Sequence, residues 1–279
     1  MAFAVSIVGI SFTICGGVVL SKRKIGWVSW GLDQVWWQIR AAVFGIAFLA
    51  AIVGTAVIWS PDWALARNDA LFGVGVVLMV AVFWTGVNRM ADAVPIGIVF
   101  LLGIGLELHR TGVGAWAYAD GGVLKLGAKP LFVGFMYAAV ASYVIRSLRL
   151  KELVVTRLPH WAVAAFVSVS IYGMFFVGVP DWVRPAVLAL AVIVFGMARV
   201  VAPSGSWLPV PVALGLAAVL LWCAENVGTF SGTWTYRGQG PGELVDLTKI
   251  SAWFLLLTVI FWVVTYFGRT VSDRQGATR

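Results

Sequence analysis

The sequence predicts an all-α, polytopic integral membrane protein of about nine transmembrane helices: one extra N-terminal helix followed by two parallel four-helix repeats. Three observations predict it. Long apolar runs recur along the chain, charged residues make up only 11% of it, and a spaced motif occurs twice. A soluble domain is about a quarter charged, and a soluble chain 61% apolar could not cover its own surface.

A helix needs about 20 mostly apolar residues to cross the hydrocarbon core. Segments that suit this run over 2–20, 41–59, 70–88, 93–109, 130–147, 161–179, 185–201, 209–227 and 249–268. The opening MAFAVSIVGI lacks the basic region and small-residue cleavage site of a signal peptide, so it reads as a retained first span. The expected organisation is a span and basic cytoplasmic loop over 1–40, one repeat over 41–158, a second over 159–268, and a tail over 269–279, all in one membrane domain. With the N-terminus outside, thirteen Lys and Arg residues fall on the cytoplasmic side and seven on the outer side. Basic residues accumulate on cytoplasmic loops, so this bias supports N-out and C-in. Many of the fifteen tryptophans sit near span ends, as an interfacial belt would place them.

The net charge of +8 follows from the same loop bias and does not call for nucleic acid, since no basic and aromatic stripe accompanies it. Cys15 and Cys223 both lie in expected spans, which argues against a disulfide or metal framework. His109 and His160 form no ligand cluster, so no metal is expected. No G-x-S-x-G, P-loop or Rossmann fingerprint is present, and no cofactor is implied.

The repeat is the most informative feature. Residues 107–118 read ELHRTGVGAWAY and residues 225–236 read ENVGTFSGTWTY; both fit E-x6-G-x-W-x-Y at an offset of 118. Pro61-Asp62-Trp63 recurs as Pro180-Asp181-Trp182, and Gly54 as Gly173, at an offset of 119. Four spans per unit preserve orientation, so the repeats are parallel and both motifs fall at one membrane face. An axis along the membrane normal would bring Glu107 and Glu225 towards each other.

A carboxylate within a span is costly unless paired, solvated or protonated, so both glutamates are expected to face inward. Two such acids near each other suit proton chemistry, one donating and one accepting. The competing reading makes each glutamate a brace that accepts backbone N–H groups of its own G-x-W-x-Y turn. Gly114 and Gly232 are expected to allow a tight turn or a close helix approach. Trp116, Tyr118, Trp234 and Tyr236 alternate, so in extended segments each Trp and Tyr share a face and could line a pocket and shelter a cation. Interfacial anchoring is the plainer role for them. Asp62 and Asp181 are expected to cap the following helices. His109 and Asn226 stand beside the glutamates without polar counterparts in the other repeat and are counted with the substrate-binding set.

The stretch from GLELHRTGVGAWAY to Lys129-Pro130-Leu131-Phe132 and Phe135-Met136-Tyr137, and the stretch from ENVGTFSGTWTY to Lys249-Ile250-Ser251-x-Trp253-Phe254, resemble the YoaT-like multi-pass membrane proteins of bacteria, a family of unknown function. The resemblance covers about residues 65–268 and implies a bacterial plasma membrane. More remotely, a membrane glutamate followed by G-x-W-x-Y resembles carotenoid hydratases, small lycopene cyclases and membrane terpene cyclases. That resemblance implies protonation of an isoprenoid by a buried acid, with Glu107 and Glu225 as the acid/base pair.

Three functions are therefore expected in order: a cyclase or hydratase acting on a lipophilic isoprenoid, a proton-coupled transporter of a small solute, and a non-catalytic lipid- or pigment-binding protein. The partners expected are a lipophilic small molecule and membrane lipids. The oligomeric state is open.

Overall fold

The computed structural model describes residues 27–276 apart from 120, 128 and 241. The expected span 2–20, with Cys15, lies outside the described residues. The chain is mostly helical: α1 (Trp27–Ala41), α2 (Val43–Ile58), α3 (Arg67–Trp84), a 3₁₀ turn (Met90–Asp92) leading into α4 (Ala93–Gly112), α5 (Val133–Leu150), α6 (Trp161–Met174), α7 (Val183–Phe195), α8 (Val210–Phe230) and α9 (Thr248–Gly276). Each expected span from 41–59 onward coincides with one of these helices.

Among the described residues, four segments are long and apolar enough to cross a membrane: Arg67–Trp84, Met90–Gly112, Val210–Phe230 and Thr248–Gly268. A fifth arises if α1 and α2, bent by 75° at their junction, count as one broken span. Of the eight spans expected within the described residues, four or five pass this test of length and composition. The apolar runs 161–179 and 185–201 yield helices of only 14 and 13 residues. At 1.5 Å per residue these reach about 21 and 20 Å, short of a core about 30 Å thick. The second run is divided because its helix ends at Gly196 and residues Arg199–Val201 turn into a strand. Residues 27–40, expected as part of a basic loop, are helical instead.

The core is built on α5, packed along α4, α2 and α9. Glycines on its neighbours let its rings in: the Phe135 ring fills the place a Cβ would occupy on Gly75, and the Tyr137 ring does the same at Gly103. Phe48, Phe72 and Phe100 surround Phe135 at centroid distances of 5.2–6.2 Å.

Short strands mark the two ends of the bundle. At one end β1 (Trp116–Tyr118), which follows α4, pairs antiparallel with β7 (Trp234–Tyr236), which follows α8. A two-residue pair, β2 (Lys125–Leu126) and β3 (Lys129–Pro130), lies between β1 and α5. At the other end β4 (Val154–Thr156), β5 (Arg199–Val201) and β6 (Trp207–Pro209) form a three-stranded antiparallel sheet. Arg146 and Arg149, near the C-terminus of α5, lie towards that second end; the Arg149 guanidinium pairs with Asp92 at 2.6 Å.

Candidate functional site

Both E-x6-G-x-W-x-Y motifs meet at one end of the molecule, because their W-x-Y strands pair with each other. The register sets Trp116 against Tyr236, Ala117 against Thr235 and Tyr118 against Trp234. Each strand is reached through a glycine turn: Gly114 has φ +70° and Gly232 φ +66°, a conformation that suits glycine. An added Cβ would meet nothing within 4 Å at either position, so these glycines serve the turn and not a close helix approach.

Glu107, on α4, is buried at 3% exposure. Trp116 Nε1 donates to its Oε2 at 2.8 Å, the Tyr118 hydroxyl to the same oxygen at 2.9 Å, and the Tyr137 hydroxyl to Oε1 at 2.9 Å. Glu225, on α8, accepts from the Tyr236 hydroxyl and is half-buried. The expected brace geometry differs in kind: the donors are side chains, from the W-x-Y strands and, for Glu107, also Tyr137 of α5, and not backbone N–H groups. Burial, and then the Glu107 carboxylate, holds the Tyr118 phenol well above its ordinary pKa. Burial and then Glu225 do the same for Tyr236. Both phenols therefore stay protonated and donate.

The Trp116 and Tyr236 rings meet edge to face at 5.7 Å, so the residues that hold the two carboxylates touch each other. Trp234 takes no part in holding Glu225. Its indole is buried against Gly228 and lies 6.2 Å from Tyr118.

Glu107 and Glu225 line one cavity of about 830 Å³. Its walls run along α2 from Ala42 to Ile52, along α5 from Met136 to Tyr143, and along α8 from Ala217 to Phe230, and they are mostly apolar. Ten helical residues of α2 correspond to about 15 Å. At the far end the Tyr143 hydroxyl donates to Gln38 Oε1 at 2.9 Å. At the glutamate end the wall includes Arg110, Arg184 and Lys249. The Lys249 ammonium lies 3.9 Å from the Tyr236 ring centroid and 5.7 Å from that of Trp116, and the Arg110 guanidinium lies 5.9 Å from Trp116.

The other expected site residues fall elsewhere. His109 stacks on Phe176 at 5.1 Å and does not line the cavity. Asn226 lines the cavity but is buried with its amide engaged: Nδ2 donates to the Trp222 carbonyl at 2.7 Å and Oδ1 accepts the Val245 N–H at 2.8 Å. Asp62 and Asp181 do not cap helices. The residue before α3 is Ala66 and the residue before α7 is Trp182, so both aspartates lie too early in the chain. Asp62 instead accepts from the Ser60 hydroxyl. Among the described residues, no group of three or more His, Cys, Asp or Glu side chains could hold a metal ion.

Sequence reasoning missed the residues that position the strands. Three consecutive residues at the start of α3 hold them. Arg67 donates to the Thr233 hydroxyl at 2.8 Å, beside β7, and to the Ile52 carbonyl at 2.7 Å. Asn68 donates to the Ala119 and Gly121 carbonyls, just beyond β1. Asp69 accepts the Val123 and Leu124 N–H groups at 2.9 and 2.8 Å. The available signal was an Arg-Asn-Asp run opening an apolar span, where polar groups need partners. Asp69→Ala should cost about 1 kcal/mol for each of the two hydrogen bonds, since the loop is exposed and water can replace the carboxylate. The loop 121–124 should then be cut faster by protease in detergent; unchanged cleavage would refute this role.

The comparisons with known proteins agree with one another. Residues 32–261 match the family model described as a protein of unknown function, DUF817. Over 238 residues the chain is 31% identical to the uncharacterized protein YoaT of Bacillus subtilis (strain 168), covering 82% of this chain and 88% of that one. No solved structure matches the chain. Neither match supports the remoter resemblance to carotenoid hydratases and terpene cyclases. The chain belongs to the DUF817 family, with which its two motifs and most of its helices align.

Proposed function

We propose that this protein is a membrane-embedded cyclase or hydratase that protonates an isoprenoid chain, with Glu225 as the acid and Glu107 as the base. The observation that carries the reading is one largely apolar cavity with both glutamates at the same end. Glu107 accepts three side-chain donors, two on one oxygen and one on the other, which fixes it as an acceptor facing the cavity. Glu225 has one phenol donor and is the more open of the two. A proton passes from Glu225 to a double bond, leaving a carbocation. Attack by a second double bond followed by proton loss to Glu107 gives a cyclic product; attack by water followed by the same proton loss gives an alcohol. Solvent at the cavity mouth then returns the proton to Glu225. Lys249 already covers a face of Tyr236, so a substrate cation is better met deeper, by Tyr137 and Trp253, whose rings stand 6.3 Å apart.

The same reading includes nine spans, a duplicated four-helix unit and an N-out, C-in orientation in a bacterial plasma membrane. The locally two-fold β1–β7 register supports the duplication. A second reading, a proton-coupled small-solute transporter, is favoured by the continuation of the cavity to Gln38 and Tyr143.

Product formation from isoprenoid substrates in reconstituted membranes tests the enzyme reading. Glu107→Gln and Glu225→Gln should each lower turnover by at least about 100-fold, the scale of general acid–base catalysis, while eluting as folded protein. Full turnover in both variants sinks it. Proton-dependent uptake of an unaltered solute into proteoliposomes would favour the transporter.

A further inference from the structure

The cavity mouth carries three cations that the chain does not neutralise by contact. Arg110 comes from the end of α4, Arg184 from the start of α7 and Lys249 from the start of α9; all three line the cavity, and Arg110 and Lys249 stand beside Trp116. They repel one another electrostatically, so they converge on one region. Among the described residues the only ion pair within 4 Å joins Arg149 to Asp92, at the other end of the bundle. Glu225 and the exposed Asp246 act on Lys249 from a distance without pairing with it. Arg110 and Lys249 instead lie against aromatic faces, which holds a cation in place while leaving its N–H donors free.

Three converging cations at the rim of an apolar tube favour a ligand with an anionic head and a hydrocarbon tail. Guanidinium groups suit phosphate and carboxylate oxygens, and an ammonium adds a point charge. We propose that the ligand of this cavity is a single-chain amphiphile with an oxyanion head, its head held by Arg110, Arg184 and Lys249 and its chain lying between α2, α5 and α8. The inference rests on the proposed cavity chemistry and sharpens its substrate class: the head is anchored at the mouth and the glutamates face the first part of the chain.

Binding to the full chain in non-ionic detergent, followed by quenching of tryptophan emission, tests this without turnover. The probes are farnesyl phosphate, palmitate and the uncharged farnesol. Farnesyl phosphate should bind at least about tenfold tighter than farnesol, the effect of roughly 1.4 kcal/mol from partly exposed charge pairs. Arg184→Gln, at an exposed position, and Lys249→Gln should each reduce that preference while leaving farnesol affinity intact, which also reports an intact cavity. Equal affinity for the charged and uncharged probes overturns the inference. So does a preference that both variants retain. Nanodiscs rich in phosphatidylglycerol separate a diacyl lipid from a single-chain ligand. Displacement of farnesyl phosphate by that lipid, with no competition from palmitate, overturns the single-chain assignment. Because binding is read in the Glu107→Gln and Glu225→Gln variants as well, an anion preference that survives there alongside unchanged turnover would refute the catalytic reading alone.

Discussion

Replacing Gly228 by alanine is expected to dismantle the site without altering either carboxylate. The Trp234 indole rests on the backbone of α8 at this point, and an added Cβ would stand 1.9 Å from Cη2 and 2.2 Å from Cζ2 of the ring. The ring is the rigid body of a buried side chain and cannot give by a torsion at its tip. Moving it moves β7, and with β7 the Tyr236 hydroxyl that donates to Glu225 and the pairing of Tyr236 with Trp116. Overpacking costs about 1–3 kcal/mol, and this overlap calls for the upper part of that range. Alanine regains about 1 kcal/mol in helix propensity, so the net effect is a loss. Gly215, on the same helix, has nothing within 4 Å of an added Cβ. Gly215→Ala should therefore stabilise by up to about 1 kcal/mol. Thermal melting in detergent separates the pair; a Gly228→Ala protein that melts with the wild type and keeps its turnover would contradict the packing argument.

Gly228 also shows where the sequence stops being informative. The motif E-x6-G-x-W-x-Y announces an extended, aromatic segment after each glutamate, and both segments are strands. That they pair with each other is a contact across more than a hundred residues, set by how α4 and α8 stand in the bundle. Local pattern cannot supply it. Tyr137 reaches Glu107 only because Gly103 leaves room for its ring, a fit between two helices that composition does not encode. Hydropathy found every described helix from α2 onward, yet it overestimated α6 and α7, because apolar residues continue past their ends into a turn and a strand. Asp62 and Asp181 misled for the opposite reason: a Pro-Asp-Trp turn is a plausible helix start, but the helices begin after it. Charges within or beside the apolar segments carried a signal that the hydropathy reading left unused. Asp69, Asp92 and Arg146 are each buried and each hydrogen-bonded, as an ionisable group in a low-dielectric setting must be.

Arg146→Met is expected to be the most destabilising single change at the opposite end of the bundle. Arg146 is 7% exposed. Its guanidinium donates to the Arg40 and Ala41 carbonyls at the end of α1 and to the Val87 carbonyl just beyond α3. The last carbonyls of a helix have no partner within it, so this one side chain satisfies the end of α1, draws on its favourable pole, and ties it to the turn that follows α3. Methionine fills the space and leaves those carbonyls without donors, at about 3–5 kcal/mol. Arg146→Lys should recover only part of this, because one ammonium cannot span both the Arg40 and Val87 carbonyls as a planar fork does. Arg149→Met should cost less than either, since that pair with Asp92 is partly solvated, at 25% exposure of the arginine side chain. Melting temperatures in that order support the argument, and equal values for Arg146→Met and Arg149→Met would refute it. Along α5, Arg146 lies nine residues beyond Tyr137, about 14 Å. The β1–β7 pair and both glutamates are therefore outside its reach, and the folded fraction of Arg146→Met should turn over normally. Gly228→Ala should lose stability and turnover together, because there the packing contact and the chemical site share a residue.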